Sequence, residues 1–133
     1  MLTSPRHMTP QERLARWPNF SDRELACRCC GEFSPSTEFT KLMDDAQAFR
    51  TESATPLFIT SGYRCTHHPI ENKKAQPGMH THAACDFGVT GEQAITLLQF
   101  FLNKGYVGIG INQKGDKRYI HIDRRATPAI WSY

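Results

Sequence analysis

Residues 107–122 read VGIGINQKGDKRYIHI, and this pattern predicts a β-hairpin. Val107 to Ile111 and Tyr119 to Ile122 are short runs rich in β-branched and aromatic residues, which strands favour. Residues 112–118 between them are polar, and Gly115-Asp116 is typical of a turn. This part of the chain therefore contributes two strands that we expect to pair antiparallel.

A helix is predicted before the hairpin, from about Glu92 to Asn103. Thr90 and Gln93 have the spacing of a helix cap, and Gly105 follows the helix as a stop signal. The side chains predicted to face inward are Ile95, Leu98, Phe101 and Leu102.

The other predicted elements alternate between helices and short strands. They are a short helix over 10–16, a second from Ser21 to Ala26, a long helix from Ser36 to Thr51, and strands at 57–60 and 85–89. Residues 61–84 show little periodicity and form a long irregular segment, which in a small domain is often functional. The order predicts an α+β domain with a small antiparallel sheet packed with helices.

Size and composition limit the possibilities further. The chain has 133 residues, which fits one domain, and residues 1–9 are expected to form a loose tail before the first short helix. The net charge of +3 is too weak to indicate nucleic-acid binding. The sequence has no apolar run of membrane-spanning length, and Met1 to Pro10 lacks the apolar core of a signal peptide. We therefore expect synthesis in the cytoplasm and no membrane insertion.

The histidines are concentrated in the irregular segment. Four of the six lie between positions 67 and 82, shortly before Asp86, and His121 lies on the last predicted strand with Asp123 two residues later. Imidazole and carboxylate groups suit zinc, and a catalytic zinc site has three protein ligands and one open position. The alternative is a set of surface histidines in a polar loop.

Several fragments in a fixed order resemble one enzyme family. They are Ser61-Gly62-Tyr63-Arg64-Cys65, His68, Pro77-Gly78-Met79-His80, Ala84-Cys85-Asp86-Phe87, Gly108-Ile109-Gly110 and Tyr119-Ile120-His121-Ile122-Asp123. Together they resemble the zinc D-alanyl-D-alanine carboxypeptidase family, which includes phage endolysins and shares its fold with the hedgehog signalling domain. The resemblance spans residues 19–131. It implies that residues 1–18 are a tail with a short helix and that 19–133 form a single zinc peptidase domain.

The resemblance implies that the zinc ligands are His80, Asp86 and His121. The family pattern H-x-x-G-x-A-x-D separates its first two ligands by about seven positions, whereas His80 and Asp86 are six apart with no glycine between them. His82 is therefore a competing ligand. His80 is preferred because Pro77-Gly78 precedes it, as in the relatives.

The general base has two candidates. Some relatives carry a catalytic carboxylate three positions before the last histidine, where this chain has Arg118. The His-x-Asp pair makes Asp123 the first candidate, with an orienting role on a ligand imidazole as the alternative. Asp116 on the predicted turn is the second candidate.

Two further residues match family positions in the irregular segment. Arg64 matches the arginine that stabilises the polarised carbonyl or binds the substrate carboxylate, and a salt bridge within the loop is its alternative role. His68 matches a position near the site, where it would bind substrate or brace the loop. Tyr63 and Trp131 are expected to be packing residues.

Five cysteines, at positions 27, 29, 30, 65 and 85, leave three possibilities open. The preferred interpretation is that they are small buried apolar residues with free thiols. A zinc site is the second, because Cys27 and Cys30 form a C-x-x-C pair for which Cys65 and Cys85 are the available partners. A Cys65–Cys85 disulfide is the third.

The resemblance also implies a substrate and a setting. The expected partner is the stem peptide of peptidoglycan, cut by a monomeric phage or prophage lysis enzyme that reaches the cell wall of the periplasm after release by another protein. The alternative is a non-catalytic zinc-containing module of the same fold that binds the wall or belongs to a phage structure.

Overall fold

The computed structural model describes residues 2–76 and 78–133. Its strands are β1 (Ile59–Ser61), β2 (Ala84–Phe87), β3 (Gly108–Asn112), β4 (Tyr119–Asp123) and β5 (Ala129–Ser132). They form one sheet in the order β1-β2-β4-β3-β5. The first three pairings are antiparallel, as predicted, whereas β5 joins the edge parallel to β3 and was not predicted. The α+β class is confirmed, with a mixed sheet.

The helices are α1 (Pro10–Arg16), α2 (Asp22–Leu25), α3 (Thr37–Ser53) and α4 (Gly91–Asn103). The first two begin with a reciprocal cap, formed by Thr9 with Glu12 and by Ser21 with Glu24. Short 3-10 turns occur at Pro5–His7, Glu71–Lys73 and Met79–Thr81. Within the described part of the chain, no helix combines the length and the apolar character needed to cross a bilayer.

The inward face of α4 differs from the prediction. Ala94, Leu97 and Phe101 are buried, whereas Ile95 and Leu102 are 60% and 49% exposed. Phe101 stacks on Phe87 of β2 with ring centroids 5.6 Å apart, and this contact sets which stripe of the helix meets the sheet. The predicted stripe was therefore partly wrong, because four apolar positions on one helix allow more than one inward orientation. Gln93, predicted to cap α4, instead donates to the carbonyl oxygen of Pro56 at 2.8 Å.

Helices α3 and α4 pack against one face of the sheet. On β2, Cys85 lies 3.9 Å from the sulfur of Met43 in α3, and Phe87 meets α4. Because side chains alternate across a strand, Asp86 between them points to the opposite face. The helix layer thus fills one side of the sheet and leaves the other side for polar groups.

The N-terminal segment, expected to be a loose tail, packs on this core. Met8 is buried, and the carbonyl oxygen of Thr3 accepts a hydrogen bond from the buried hydroxyl of Thr40 in α3 at 2.7 Å. Trp17, just after α1, is fully buried and donates from Nε1 to the carboxylate of Asp44 at 2.9 Å. Residues before position 18 therefore contribute to the same core as the rest of the chain.

Replacing Trp17 tests this contribution. We expect Trp17→Ala to lower the free energy of unfolding by about 3–5 kcal/mol, because it leaves a large cavity and removes the hydrogen bond from Trp17 to Asp44. Urea denaturation followed by circular dichroism measures the change. The control is Leu14→Ala on α1, where the side chain is 63% exposed and little change is expected. Equal unfolding midpoints for the two variants would contradict this role of the N-terminal segment.

Candidate metal centre

Asp86 and His121 face each other across two neighbouring strands. They are register partners in the β2–β4 ladder, and Asp86 Oδ1 lies 2.9 Å from His121 Nδ1. Both side chains are more than nine-tenths buried. Because strand pairing fixes directly opposed side chains on the same face, the sheet itself places one carboxylate and one imidazole together.

His80 reaches the same carboxylate from the irregular segment. It lies on the 3-10 turn Met79–Thr81, and its Nε2 is 3.2 Å from Asp86 Oδ1. Its Nδ1 is 2.8 Å from the carbonyl oxygen of Gly62, which can only accept a hydrogen bond. Nδ1 of His80 therefore carries a proton that it donates to Gly62, and Nε2 faces Asp86.

These three side chains form a donor set that fits zinc. One ligand atom from each of His80, Asp86 and His121 lies within 4.8 Å of the other two. Two imidazoles and one carboxylate are a common ligand set of catalytic zinc. His82, the competing ligand, is exposed and is not a member of this group. The structure thus places His80, and not His82, beside Asp86.

The charges of the group favour a bound cation. Burial raises the pKa of Asp86, but hydrogen bonds from His121 and His80 lower it to about 2, so this carboxylate is ionised at neutral pH. Burial lowers the pKa of His121, but the carboxylates of Asp123 and Asp86 raise it above its usual value. Both ring nitrogens of His121 face carboxylate oxygens, which is a stable arrangement when positive charge is present at the site.

Asp123 contacts the far side of the His121 ring. Its Oδ2 lies 2.8 Å from His121 Nε2, whereas Asp86 meets Nδ1. Asp123 is fully buried, and it accepts hydrogen bonds from the backbone and the guanidinium of Arg125. Hydrogen bonds to the ionised form keep the pKa of Asp123 below its usual value despite burial. These contacts favour the orienting role over the general-base role that was predicted first.

Two glycines of β3 make room for the surroundings of His121. A Cβ atom at Gly108 would overlap the Asp123 carboxylate, and one at Gly110 would lie 2.7 Å from the Trp131 indole nitrogen. The Trp131 ring packs on His121 with centroids 5.0 Å apart, which agrees with the packing role expected for it. The Gly-Ile-Gly motif thus requires glycine at positions 108 and 110, because a side chain at either position would not fit.

A cleft of about 1070 Å³ opens beside the three-residue group. Its walls include Arg64, His68 and Asp116, three of the residues singled out from the sequence, and Asp86 contributes to the same lining. Tyr119 of β4 also lines it. The cleft therefore brings the predicted substrate-binding residues to the proposed ligand carboxylate.

Glu71 is the main residue of the site that sequence reasoning missed. It is the only acidic residue between positions 61 and 84, and its side chain is fully buried. Its carboxylate accepts hydrogen bonds from four groups of the irregular segment: Lys74 Nζ at 3.0 Å, the Gly78 amide at 2.8 Å, Thr81 Oγ1 at 3.2 Å and Arg64 at 3.4 Å. The sequence feature that could have identified Glu71 is that it is the one acidic residue in a stretch of basic and polar residues.

The Glu71 network fixes both His80 and Arg64. Gly78 precedes the turn that carries His80, and Thr81 is the last residue of that turn. The Arg64 amide donates to the His80 carbonyl oxygen at 2.9 Å. Arg64 is therefore in a salt bridge within the loop and also lines the cleft wall, while its role towards substrate stays a prediction. Between β1 and β2, the residues that the structure describes form only 3-10 turns, and one buried carboxylate holds them together in this way.

The cysteines fall into two groups. Cys27, Cys65 and Cys85 are buried, as the preferred interpretation expected, but Cys29 and Cys30 are exposed. Sulfur atoms of Cys27, Cys30 and Cys65 lie within 4.8 Å of one another, whereas Cys85 packs against Met43 in the helix layer. Cys85 is thus not the partner of Cys65 that two of the three possibilities required.

The family assignment follows from the sequence profile of peptidase M15, which matches residues 18–123. The chain belongs to the peptidase M15 family. This is a family of zinc-dependent metallopeptidases. The predicted resemblance to the zinc D-alanyl-D-alanine carboxypeptidase family is therefore confirmed. The match ends at Asp123 and includes all three members of the His80, Asp86 and His121 group. Searches of curated proteins and of solved structures found no match.

Neutralising Glu71 tests its role in holding the loop. Burial raises the pKa of Glu71, but Lys74 and the Gly78 amide lower it from 4.5 to about 2. A depressed folded-state pKa contributes stability above pH 4.5 that is lost as the pH falls towards 2. We therefore expect Glu71→Gln to destabilise the protein by about 1.5–3 kcal/mol at pH 7 and to flatten the decline of stability between pH 4.5 and pH 2.

The measurement is urea unfolding at several pH values. The matched control is Glu52→Gln at an exposed position of α3, for which the pH profile of the wild type is expected. A Glu71→Gln variant with the stability and pH profile of the wild type would show that this carboxylate does not hold the loop.

Proposed function

We propose that the protein is a zinc-dependent peptidase that hydrolyses peptide bonds in bacterial peptidoglycan, as a D-Ala-D-Ala carboxypeptidase or an endopeptidase. The observation that supports this most is the convergence of His80, Asp86 and His121 beside a cleft, in a chain of the peptidase M15 family. The family supplies the reaction type. The cleft favours a peptide with a free carboxylate, because the cationic side chain of Arg64 lines its wall.

The three converging side chains are the proposed zinc ligands. When bound, zinc would supply Lewis-acid polarisation of the scissile carbonyl and lower the pKa of a water molecule. His80 Nε2, Asp86 Oδ1 and His121 Nδ1 are the atoms that face one another and would hold the ion. Gly62 and Asp123 keep the two imidazoles in the required orientation from their outer nitrogens.

Arg64 is the proposed substrate-binding cation. One of its nitrogens pairs with Glu71, and a guanidinium has five N–H donors, so further donors can address the cleft that Arg64 lines. A planar guanidinium held in place is suited to a substrate carboxylate or to the oxygen of a polarised carbonyl. Its pairing with buried Glu71 restricts its rotamers, which lowers the entropy lost when substrate binds.

His68 is proposed to bind substrate on the same wall. Burial and the nearby Arg64 cation lower its pKa, so His68 is neutral at pH 7. Its Nδ1 accepts a hydrogen bond from the Ile70 amide at 3.1 Å, which makes Nε2 the protonated nitrogen of the neutral ring. His68 would then donate to a substrate oxygen from Nε2.

Asp116 is the proposed proton acceptor. It is exposed on the β3–β4 turn and lines the cleft, whereas Asp123 is enclosed behind His121 and engaged by Arg125. A general base must reach the reacting proton directly or through one water molecule. Asp116 on the cleft wall satisfies this condition better than Asp123 does.

The proposed setting is the bacterial cell wall. A positive net charge of +3 with a pI near 8.7 would favour association with an anionic wall polymer. We propose a monomeric lysis enzyme of a phage or prophage, acting on the stem peptide. A non-catalytic wall-binding or phage structural module is the second candidate, and Arg118 at the position of a catalytic carboxylate in some relatives favours it.

Hydrolysis of purified muropeptides tests the main proposal. We expect the wild type to release a product detected by mass spectrometry, a chelator to abolish release, and added zinc to restore it. His121→Ala should lower turnover at least 10³-fold, because it removes one proposed ligand. His82→Ala is the matched control, since this exposed histidine lies outside the group and should leave turnover unchanged. Absence of product from the zinc-loaded wild type would favour the non-catalytic module.

Two aspartate substitutions separate the base from the orienting carboxylate. We expect Asp116→Asn to lower kcat about 10²–10⁴-fold with unchanged zinc affinity, as for loss of a general base. Asp123→Asn should weaken zinc binding about 10–100-fold and recover much of its activity at excess zinc. Zinc affinity is measured by competition with a chromogenic chelator, and kcat by steady-state kinetics. A loss of kcat in Asp123→Asn that excess zinc does not reverse would return the base role to Asp123.

A further inference from the structure

A second group of potential metal ligands lies outside the cleft site. Cys27, Cys30 and Cys65 place their sulfur atoms within 4.8 Å of one another. They come from two segments that are distant in sequence: the turn after α2 and the beginning of the irregular segment. Three cysteines from two segments converge here without forming a disulfide, as all five thiols of the chain are free.

The backbone around Cys27 has the features of a metal-binding turn. The sequence Cys27-Arg28-Cys29-Cys30-Gly31 has C-x-x-C spacing, and the chain folds back so that the Gly31 amide donates to the Cys27 carbonyl oxygen at 2.7 Å. Gly31 has φ of 76°, a left-handed conformation that favours glycine. The turn thereby brings two cysteine side chains three positions apart to one side.

The sulfur of Cys27 accepts a backbone hydrogen bond from the other segment of the group. The Cys65 amide donates to it at 3.3 Å. N–H donors directed at a sulfur atom stabilise its thiolate form, which is the form that binds metal. A sulfur that accepts a backbone hydrogen bond is suited to metal binding. The preferred interpretation had expected Cys27 to be only a small buried apolar residue.

A fourth cysteine, Cys29, lies next to the group. It is exposed and is not within the 4.8 Å group, but its sulfur lies 3.9 Å from the carbonyl oxygen of His67, two residues after Cys65. Four-coordinate zinc with four thiolates is the usual structural site for cysteines in this pattern. Soft thiolate ligands favour zinc over magnesium or calcium.

We propose that Cys27, Cys30 and Cys65 bind a structural zinc ion, with Cys29 as the fourth thiolate. Each thiol releases one proton to solvent when it binds, so metal uptake at this site is accompanied by proton release. The ion joins the turn at 27–31 to Cys65. Arg64 immediately precedes Cys65, and its amide donates to the His80 carbonyl oxygen. The ion would therefore anchor the irregular segment where it approaches the cleft.

The proposal predicts two metal ions per chain with different spectroscopic properties. We expect the wild type, purified with reductant, to contain two zinc ions by elemental analysis. Cobalt replacement should give thiolate-to-metal charge-transfer absorption in the near ultraviolet. Cys30→Ser changes an exposed residue, so folding should be retained, while one zinc ion and this absorption are lost. Cys29→Ser should weaken metal binding and reduce the absorption.

Two control variants separate this site from the cleft site. His121→Ala should lose one zinc ion and retain the charge-transfer absorption, because it alters only the cleft group. Cys85→Ala removes a cysteine that packs against Met43 in the helix layer, and it should retain both ions. These outcomes do not depend on peptidase activity, so this proposal and the proposed function can fail separately.

Two results would overturn the proposal. They are a cobalt-loaded wild type without thiolate charge-transfer absorption and a Cys30→Ser variant with the metal content of the wild type. The Cys29→Ser variant tests the fourth ligand, and an unchanged affinity and spectrum would remove Cys29 from the site.

Discussion

The candidate metal centre depends on one buried carboxylate oxygen that two imidazoles share. Asp86 Oδ1 lies 3.2 Å from His80 Nε2 and 2.9 Å from His121 Nδ1. Burying an ionised carboxylate is costly unless positive charge or hydrogen-bond donors surround it. The register between β2 and β4, the turn that carries His80 and the outer partners of both rings all satisfy this requirement. The rest of the cleft is arranged around it.

The two histidines proposed as ligands are positioned by different physical means. His121 lies on a central strand with partners on both sides, so the sheet fixes it through its ladder of hydrogen bonds. His80 lies on a 3-10 turn and not on a strand. The carboxylate of Glu71 holds this turn by accepting hydrogen bonds from Gly78 and Thr81. A loop ligand held by a buried ionised group depends on pH and on single residues more than a strand ligand does.

Local patterns predicted the elements and most of the site, but they could not predict the long-range pairings. The hairpin followed from residue spacing, and the grouping of His80, Asp86 and His121 was implied by the family resemblance. Residues 129–132 carry little alternation, and their parallel pairing with β3 depends on tertiary contacts, so β5 was not predicted. The Glu71 network and the thiol group involve residues from distant segments, and sequence spacing does not give their directions.

Strand alternation also explains why Asp123 is better suited to orienting than to proton transfer. Positions 121 and 123 share one face of β4, so the Asp123 carboxylate lies beside the His121 ring and reaches its outer nitrogen. Gly108 on the neighbouring strand leaves the space that this carboxylate fills, and Arg125 neutralises it there. A base for hydrolysis needs access to the cleft, which this enclosed position does not give. The turn between β3 and β4, with Asp116, extends from the same hairpin to the cleft wall. One hairpin can thereby supply a ligand, its orienting carboxylate and a separate proton acceptor.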